Sequence, residues 1–567
     1  MVKGDKSIIK LGAKSILLFI IIISLQMIAC SKTISICEKG CDKTSITEGI
    51  NSAYPGDTIV VYSGTYNENV EINKPLTLLG KDTGSGKPVI DASENGNAMT
   101  ISADGTTVDG FNLTNSIGSW VDIRAGIEVD SNHSNILNNL AFYNENGILI
   151  IGSNNTIRGN DAINNIYGIR TKNSGNNIII DNNLKNNNYS LLIQASKGNI
   201  IQYNNATRSI FGILLNESSG NNLTHNQMVE NRYNFGGHGN NYVDPTNLAD
   251  GKPVYYLVGK VNRTIDSPFN PATIYCINCY NITINSLDLK NNLYGIYLDN
   301  TSHSFIKANI LSNNRNGIAL VNSYHNSIIN NNAIDNINGI DLTSSRYNTL
   351  NGNKATKSQT GLYIAYSDYN RIINNWASHS ENGLSLYRSY SNSLLGNDLT
   401  YNSIGAYLSF ACLNKIFNNN ISSNNQGILL DLSANNNLSE NRIVNNTKGI
   451  LFDPLDNNMF CSNNQYIENV ISLEKIVSRP TASAGVGPDI TIKIDSDPEN
   501  ANISIGGQLY GTTPGSVDLT EPGNHTIEIA KENYENGEIY IDIPEQPTND
   551  NFPPSKKNRT LKLIHDK

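Results

Sequence analysis

The chain has 567 residues, of which only 16 % are charged, and its formal net charge is −9. This length allows two or more domains, and the sequence offers neither a basic face for nucleic acid nor a polybasic segment for anionic lipid. We therefore expect no nucleic-acid partner.

The first 29 residues predict a secretory signal peptide. Four lysines precede an apolar run from Ile16 to Ile23, which is short for a bilayer span but suits a secretory signal. The segment ends at a plain cleavage site, or in a loose lipoprotein box with an acylated Cys30, or it stays as an uncleaved anchor. All three options predict an extracellular or cell-surface protein, with membrane contact only through an uncleaved or lipidated N-terminus.

The next stretch predicts a cap on the domain that follows. Cys37 and Cys41 are close in sequence and, in an oxidising compartment, predict a local disulfide. Ile46 and Ile50 give residues 45–53 the pattern of a short helix. Such a helix would cover the open end of a β-coil, whose unpaired strand edges would otherwise be exposed.

The centre of the chain repeats every 22 residues. Each repeat starts with a glycine and continues with apolar residues at the next and third positions, the alternation of a short strand with one buried face. Asparagines recur nine and fourteen positions after the glycine. The repeated glycines are Gly295, Gly317, Gly339, Gly361, Gly383, Gly405, Gly427 and Gly449.

This register predicts a parallel β-helix. A 22-residue unit has no room for a helix, but it can form three short strands, each paired in parallel with its equivalent one coil on, about 4.8 Å away. Side chains 22 positions apart then lie above one another, and corner asparagines tolerate left-handed backbone and pass amide hydrogen bonds between coils. A leucine-rich-repeat horseshoe is the alternative, but its characteristic leucine spacing is absent.

The pattern also sets the domain boundaries. We assign residues 30–475 to the β-helix, with an irregular insertion at 233–262 whose aromatic, non-repetitive sequence makes it a candidate site. Residues 476–489 have the proline, glycine and small residues of a linker. Residues 490–565 alternate in short runs between turn residues, which predicts a small antiparallel β domain.

Several segments resemble known families. The segments 56–66 and 74–80 and the Asn-Gly-Ile repeats resemble right-handed parallel β-helix proteins of the pectate-lyase-like, carbohydrate-binding and sugar-hydrolase superfamily. The octet 250–257 resembles the signature of NosD-type periplasmic or surface proteins. The segment 497–501, followed by Gly-Thr-Thr-Pro at 511–514, is similar to the PEGA domain, although Asn500 replaces the usual glycine.

These resemblances imply a right-handed, pectin-lyase-like solenoid followed by a PEGA domain. They also imply a link to copper, because NosD-type relatives are associated with copper handling for nitrous oxide reductase. Imidazole suits copper, and His303 and His325 share one column, about 5 Å apart by coil spacing. Two histidines without a third ligand form a weak site. Cys276 and Cys279 predict buried or disulfide-linked thiols.

Two further groups of residues could contact a ligand. Asp431 and Asp453 lie on adjacent coils in one column and could form an acid pair or a Ca²⁺ site, as some β-helix hydrolases and lyases require. Tyrosines on the outer face could stack on sugar rings beside an aspartate. The residues of this second group are Tyr297, Asp341, Tyr363, Tyr387 and Tyr407.

We expect a secreted, non-catalytic surface protein that binds or presents surface polysaccharide or another envelope component. The alternatives are a polysaccharide-active enzyme (hydrolase, lyase or epimerase) and a NosD-type copper-handling accessory protein. No cofactor is expected under the first hypothesis, and Ca²⁺ or Cu under the alternatives. Sequons permit glycosylation at Asn112, Asn216 and Asn437.

Overall fold

The computed structural model describes residues 31–118 and 123–453, and nine strands beyond them. The predicted signal peptide, Cys30 and most of the predicted linker lie outside the described residues. The chain divides into two compact units, Met1–Ser209 and Ile210–Lys567. The predicted right-handed parallel β-helix is confirmed, and both units contain its coils.

The first unit is built from three parallel sheets. Its first coils vary in the number of residues that they contain. Later coils contain 21 or 22 residues, as the strand pairs Ile148↔Ile169 and Ile169↔Leu191 show. The strands of one sheet are Thr33–Ile36, Thr58–Tyr62, Thr77–Lys81, Thr107–Asp109, Asn135–Leu137, Thr156–Arg158, Ile178–Ile180 and Ile200–Gln202. Those of the second are Thr65–Tyr66, Val89–Asp91, Asn112–Thr114, Leu140–Phe142, Asp161–Ile163, Asn183–Lys185 and Asn205–Thr207. Those of the third are Val70–Ile72, Met99–Ile101, Ala125–Val129, Asn146–Ile150, Tyr167–Lys172 and Tyr189–Gln194.

A short helix, Ile46–Ser52, forms where the sequence predicts one. Ser45 caps its N-terminus by accepting a hydrogen bond from the backbone N–H of Glu48 (3.3 Å), and Ile46 and Ile50 are buried. Cys37 and Cys41 are joined in a disulfide close by in the sequence. Within the part of the chain that the structure describes, no helix is long and apolar enough to cross a membrane.

The second unit carries the regular 22-residue coils. Its long-strand sheet comprises Lys252–Val258, Thr273–Ile277, Tyr294–Asp299, Asn316–Val321, Asn338–Thr343, Thr360–Ala365, Asn382–Tyr387, Ile404–Ser409, Gln426–Asp431, Lys448–Asp453 and Val477–Ser478. A second set comprises Val261–Ile265, Tyr280–Asn285, Phe305–Lys307, Ser327–Ile329, Thr349–Asn351, Arg371–Ile373, Ser393–Leu395, Lys415–Phe417, Asn437–Ser439 and Gln465–Ile471. A third comprises Asp288–Lys290, Ile310–Ser312, Asn332–Ile334, Lys354–Thr356, Trp376–Ser378, Asp398–Thr400, Asn420–Ser422 and Arg442–Val444.

The pairing register of these strands is the predicted one. Ile318 pairs with Ile340, which pairs with Leu362, and each step is 22 residues. The column glycines lie within the strands, where close approach excludes a side chain: a Cβ on Gly317 would lie 2.5 Å from the carbonyl oxygen of Gly339. Apolar residues one and three positions after the glycines from Gly295 to Gly427 fill the core, and Ile450 continues it.

Buried asparagines connect successive coils. The Oδ1 of Asn370 accepts hydrogen bonds from the backbone N–H (2.9 Å) and the side-chain amide (3.2 Å) of Asn348. The Nδ2 of Asn370 in turn donates to the carbonyl of Ser345 (2.9 Å) and to Oδ1 of Asn392 (3.1 Å). A second ladder is built in the same way, with the backbone N–H and the side-chain amide of Asn353 donating to Oδ1 of Asn375 in the next coil.

One detail differs from the expectation. The ladder asparagines are not the left-handed residues; instead, the residue immediately before each has positive φ, such as Tyr347 (57°) before Asn348 and Tyr369 (59°) before Asn370. The left-handed residue turns the chain so that the next side chain points inward. Its own side chain is therefore left on the surface.

The irregular insertion at 233–262, where the 22-residue register breaks, forms an elaborated coil. After Tyr233–Gly237 the chain forms short strands at Tyr242–Val243 and Leu248–Ala249 and then turns back through Asp250 and Gly251 into Lys252–Val258. Earlier strands of this unit are Phe211–Asn216, Asn222–Thr224 and Gln227–Val229, and a 3-10 helix spans Ser267–Phe269.

The C-terminal strands form the predicted small β domain. Gln508–Thr512, Asn502–Ile505, Gly523–Ala530 and Gly537–Ile543 form, in this order, an antiparallel sheet. Ile490–Asp497 pairs antiparallel with Gly515–Leu519 but parallel with Lys557–Ile564, which also pairs with Gln465–Ile471. The exact domain boundaries at 475 and 490 stay predictions.

We expect that Asn370→Ala destabilises the protein by about 2–6 kcal/mol, because it leaves a buried N–H and a buried carbonyl without partners. The measurement is the shift of the unfolding transition in urea and the hydrogen exchange of the neighbouring coils. Asn374→Gly is the matched control: Asn374 is exposed and left-handed, and glycine occupies this column at Gly352 and Gly396. Equal effects of the two changes would contradict the ladder's role.

Candidate functional site

Asp341 is a buried carboxyl on the outer face of the long-strand sheet. It is 8 % exposed. Its Oδ2 accepts hydrogen bonds from the side-chain amides of Asn316 (2.8 Å) and Asn338 (3.1 Å), and its Oδ1 accepts one from Thr343 Oγ1 (2.9 Å). Burial raises the pKa of Asp341 to about 6, although these hydrogen bonds and Arg315 act in the opposite direction.

Tyr297 lies in a buried aromatic cluster rather than on an open surface. It is 3 % exposed, and its ring centroid lies 4.5 Å from that of Tyr294 and 5.5 Å from that of Tyr275. Tyr275 also contacts Phe235 from the register break, at 5.3 Å between centroids. Burial raises the pKa of Tyr294 to about 12. Tyr297 therefore offers no exposed ring face to a ligand.

The other predicted tyrosines lie together near the middle of the second unit. Tyr363 pairs with Ser385 and Ser385 with Tyr407, so the two tyrosines are two coils apart, as predicted. Both are half-buried, as is Tyr387. Asp341 is the strand partner of Tyr363 and lies one coil away.

An arginine that the sequence reasoning missed organises this surface. The Cζ atom of Arg388 lies 5.3 Å from the ring centroid of Phe410, 5.5 Å from that of Tyr387 and 5.9 Å from that of Tyr366. The ring of Tyr387 is nearly perpendicular to those of Tyr366 (86°) and Phe410 (81°). We call Tyr366, Tyr387, Arg388 and Phe410 the aromatic–arginine patch.

Three members of this patch occupy an unfavourable backbone conformation. Tyr366, Arg388 and Phe410 share one column and have φ of 51°, 46° and 51°. Earlier coils place Asn300 and Asn322 in this column, and asparagine tolerates left-handed backbone far better than bulky residues do. Reading this column in the sequence would have identified the patch.

Asp431 is held at the edge of this surface. Its Oδ2 accepts hydrogen bonds from Tyr407 Oη and Ser409 Oγ, each at 2.9 Å. Its strand partner is Asp453, as the register predicts, but the side chain of Asp453 lies outside the described residues. An acid pair or a Ca²⁺ site at these two residues stays a prediction.

His303 and His325 are the first members of a column of exposed rings on successive coils, and their ring planes are tilted by 41° to each other. Their ring centroids are 5.3 Å apart, in agreement with the expected coil spacing. His325 stacks on Tyr347 at 5.3 Å, and Tyr347 stacks on Tyr369 at 5.2 Å. We call these four residues the histidine–tyrosine column. The two imidazoles fit copper by donor type, but among the described residues no group of three His, Cys, Asp or Glu side chains is arranged to hold a metal.

The two thiols of the C-x-x-C segment are buried and not joined to each other. The thiol of Cys279 donates to the carbonyls of Ile277 (3.5 Å) and Leu257 (3.6 Å), as Ser323 Oγ donates to Val321 and Leu298 in a later coil. Cys279 thus takes the place of the corner serine, which is a structural role.

The register break opens a polar groove of about 650 Å³. Charged side chains of both signs line it, among them Glu230, Arg232, Asp335 and Lys357, beside Tyr233. Arg232 lies over the ring of Tyr233, with Cζ 5.4 Å from the centroid. Of the predicted insertion, residues 233–262, only Tyr233 lines this groove, so a site in the insertion stays a prediction. The aromatic–arginine patch lies on the regular coils.

Three family models match the chain. The model described as "Periplasmic copper-binding protein (NosD)" matches residues 50–252 and 248–404. The model described as "Right handed beta helix region" matches residues 338–486, and the model described as "PEGA domain" matches residues 489–551. A comparison with curated proteins finds no match.

Several solved structures are similar over much of their length. An alginate lyase from Paenibacillus sp. str. FPU-7 is 15 % identical, with 49 % of this chain and 94 % of that chain covered and a TM-score of 0.31. A rhamnogalacturonan lyase is 14 % identical (55 % and 82 % covered, TM-score 0.28). A point mutant of the periplasmic alginate epimerase AlgG is 11 % identical (74 % and 72 % covered, TM-score 0.27). These likenesses carry no argument about function.

The raised pKa of Asp341 predicts a specific pH dependence of stability. A carboxyl whose pKa is higher in the folded state favours folding below its unfolded-state pKa, and this advantage is lost as pH rises through the folded-state value. A rise from 3.8 to about 6 corresponds to roughly 3 kcal/mol. We therefore expect the wild-type protein to lose up to about 3 kcal/mol relative to Asp341→Asn between pH 4 and pH 8.

The measurement is urea unfolding of the two proteins at pH 4, 6 and 8. Asn retains the size of the side chain and cannot ionise, so titration of other carboxyls cancels in the difference. A stability difference that does not change with pH would contradict burial of an ionisable carboxyl at this position.

Proposed function

We propose that this chain, which belongs to the NosD family because the family model matches more than half of it, is a surface protein that binds glycan without cleaving it. The family is described as periplasmic, which supports a location outside the cytoplasm. The signal peptide, the lipidation of Cys30, the secretion and the glycosylation sequons remain predictions within this proposal.

The aromatic–arginine patch is the observation that carries the proposal. Tyr387 contributes a half-buried ring, and the ring of Tyr366 beside it is 48 % exposed. Because these rings meet edge to face, they do not cover each other completely and leave apolar faces on which a sugar ring can stack. Tyr363 and Tyr407 on the same coils add hydroxyl groups for hydrogen bonds with sugar hydroxyls.

Asp341 and Asp431 favour binding over hydrolysis, whereas an acid pair of Asp431 with its strand partner Asp453 stays a prediction. Hydrolysis by two carboxyls requires both beside the scissile bond, about 5–9.5 Å apart. Asp341 is buried, and Asp431 is engaged by Tyr407 and Ser409. A hydrolase, lyase or epimerase remains the alternative, and it would be recognised by release of product from the bound glycan.

We expect glycan binding that depends on the patch. Loss of one stacking ring costs about 0.5–1.5 kcal/mol, so the double variant Tyr366→Ala/Tyr387→Ala should bind at least about fivefold more weakly. Tyr401→Ala is the matched control, since Tyr401 is also an exposed left-handed tyrosine (62 % exposed, φ 58°) but lies on another corner. Binding is screened on a glycan array and measured by calorimetry with the glycan that binds.

Release of reducing ends or of unsaturated product from that glycan would favour the enzyme instead, especially if Asp431→Asn abolished it. A silent array, or an equal loss of binding in the Tyr401→Ala control, would contradict the proposed surface.

A second candidate function is copper binding at His303 and His325. The family description names copper, and two exposed imidazoles with centroids 5.3 Å apart can both reach one ion. Two protein ligands leave further positions open, which suits transient rather than permanent binding.

Under this second hypothesis, the variant His303→Ala/His325→Ala should lose at least about tenfold in Cu²⁺ affinity, because both described ligands are removed. His379→Ala is the matched control: His379 is exposed, left-handed and stacked on a tyrosine, as His325 is, but lies in another column. Copper per chain is measured after dialysis, and the imidazole ligands by electron paramagnetic resonance. Copper retained in the double variant would overturn this assignment.

A further inference from the structure

Arg388 carries an exposed positive charge without an acidic partner. Within the described part of the chain, ion pairs join Arg158 to Asp181 and Arg346 to Asp368, and no carboxylate pairs with Arg388. The described residues also provide no hydrogen-bond acceptor for its side chain. Its guanidinium is instead held by the rings of the aromatic–arginine patch.

Two acidic residues near Arg388 have other partners. Asp368 pairs with Arg346 (3.5 Å) and accepts a hydrogen bond from the backbone N–H of Tyr390 (2.9 Å). Asp431 accepts hydrogen bonds from Tyr407 and Ser409. Asp368 and Asp431 are thus engaged elsewhere, and among the described residues no ion pair occupies Arg388, so its positive charge remains available to a ligand.

The rings limit the freedom of the guanidinium without using its donors. A guanidinium can stack on aromatic faces while its N–H groups remain free in the plane, because ring contact uses the flat face of the cation. A side chain fixed in this way loses less conformational entropy when it binds an anion. The left-handed backbone at Arg388 (φ 46°) is unfavourable, so the fold retains this residue at a cost in stability.

We propose that the glycan bound by the aromatic–arginine patch is anionic, with a uronate carboxylate accepting paired hydrogen bonds from Arg388 while a sugar ring packs on Tyr387 or Tyr366. This inference rests on the proposed glycan-binding function and adds the class of ligand. Arginine is suited to this role because its planar fork of N–H donors matches the two oxygens of a carboxylate.

The test compares two ligands that share one backbone: polygalacturonate and its fully methyl-esterified form. We expect the wild-type protein to bind the free acid at least about tenfold more tightly, since hydrogen bonds to a charged group contribute about 1.5–3 kcal/mol. Arg388→Met should lose this preference. Arg388→Lys should lose most of it, because lysine retains the charge but not the fork.

Arg371→Met is the control. It also removes one exposed positive charge, but Arg371 lies in the strand Arg371–Ile373, which belongs to a different sheet from the strand that precedes Arg388. It should leave the preference unchanged, and unfolding curves check that all variants are folded. A preference for the acid that persists in Arg388→Met would overturn the role of Arg388.

The outcomes also separate this inference from the proposed function. Equal binding of acid and ester, lost in Tyr366→Ala/Tyr387→Ala, would overturn the anionic ligand but leave glycan binding intact. No binding of either form, together with a silent glycan array, would overturn both. A sulfated galactan that competes as strongly as polygalacturonate would overturn the assignment to carboxylate.

Discussion

The hydrogen bonds that buried asparagines pass from coil to coil are the interaction on which this structure depends. Each corner of a β-coil leaves backbone N–H and C=O groups inside the fold, and each would cost free energy if it had no partner. Asn348, Asn370 and Asn392 satisfy these groups in one column. The carboxamide is suited to this role because it both donates and accepts, so one residue type can repeat indefinitely.

This interaction fixes the register and so determines what the surface can carry. A ladder residue must point inward, and the left-handed residue before it must then point outward. Every coil therefore presents exposed positions at fixed columns. The fold constrains the side chains at these positions mainly by requiring a residue that tolerates positive φ. Asparagine, which tolerates it best, is the default there. Tyr366, Arg388 and Phe410 are bulky residues at such positions in three successive coils, but so are other left-handed residues such as Tyr347 and Tyr401. The patch differs from these because its rings surround a guanidinium.

The repeat explains how much of the structure could be predicted from the sequence. The 22-residue spacing was sufficient for the strand pairing of Ile318 with Ile340 and for the distance between His303 and His325, because both follow from stacking alone. The buried position of Tyr297 could not be predicted in this way. It depends on the contact of Tyr275 with Tyr297 and with Phe235, which lies at the register break. The sequence does not repeat at this break, so the spacing of repeats cannot predict which residues meet there.

The arginine was missed for a different reason. Arg388 lies in the corner column that also holds Tyr366 and Phe410. The tyrosines predicted from the sequence lie instead within the strands, as Tyr363 and Tyr407 do. Comparing each residue with its own column would have found it, since the physical signal is a bulky or charged residue where positive φ favours asparagine. In a solenoid, function is therefore best sought in exceptions to a column rather than in the column itself.

Stacked and perpendicular rings on the same repeat also differ in what they can bind. In the histidine–tyrosine column, Tyr347 is within 12° of parallel to His325 and 10° to Tyr369, so neighbouring rings cover each other's faces and present their edges, with ring nitrogens and hydroxyls. In the aromatic–arginine patch the rings meet at 81–86° around the guanidinium of Arg388, so the rings do not stack face to face on each other. Edges with nitrogen and oxygen donors suit a metal ion, whereas open faces beside a guanidinium suit a sugar with an acidic group. The two candidate ligands therefore belong to two different surfaces, and evidence for one does not weaken the other.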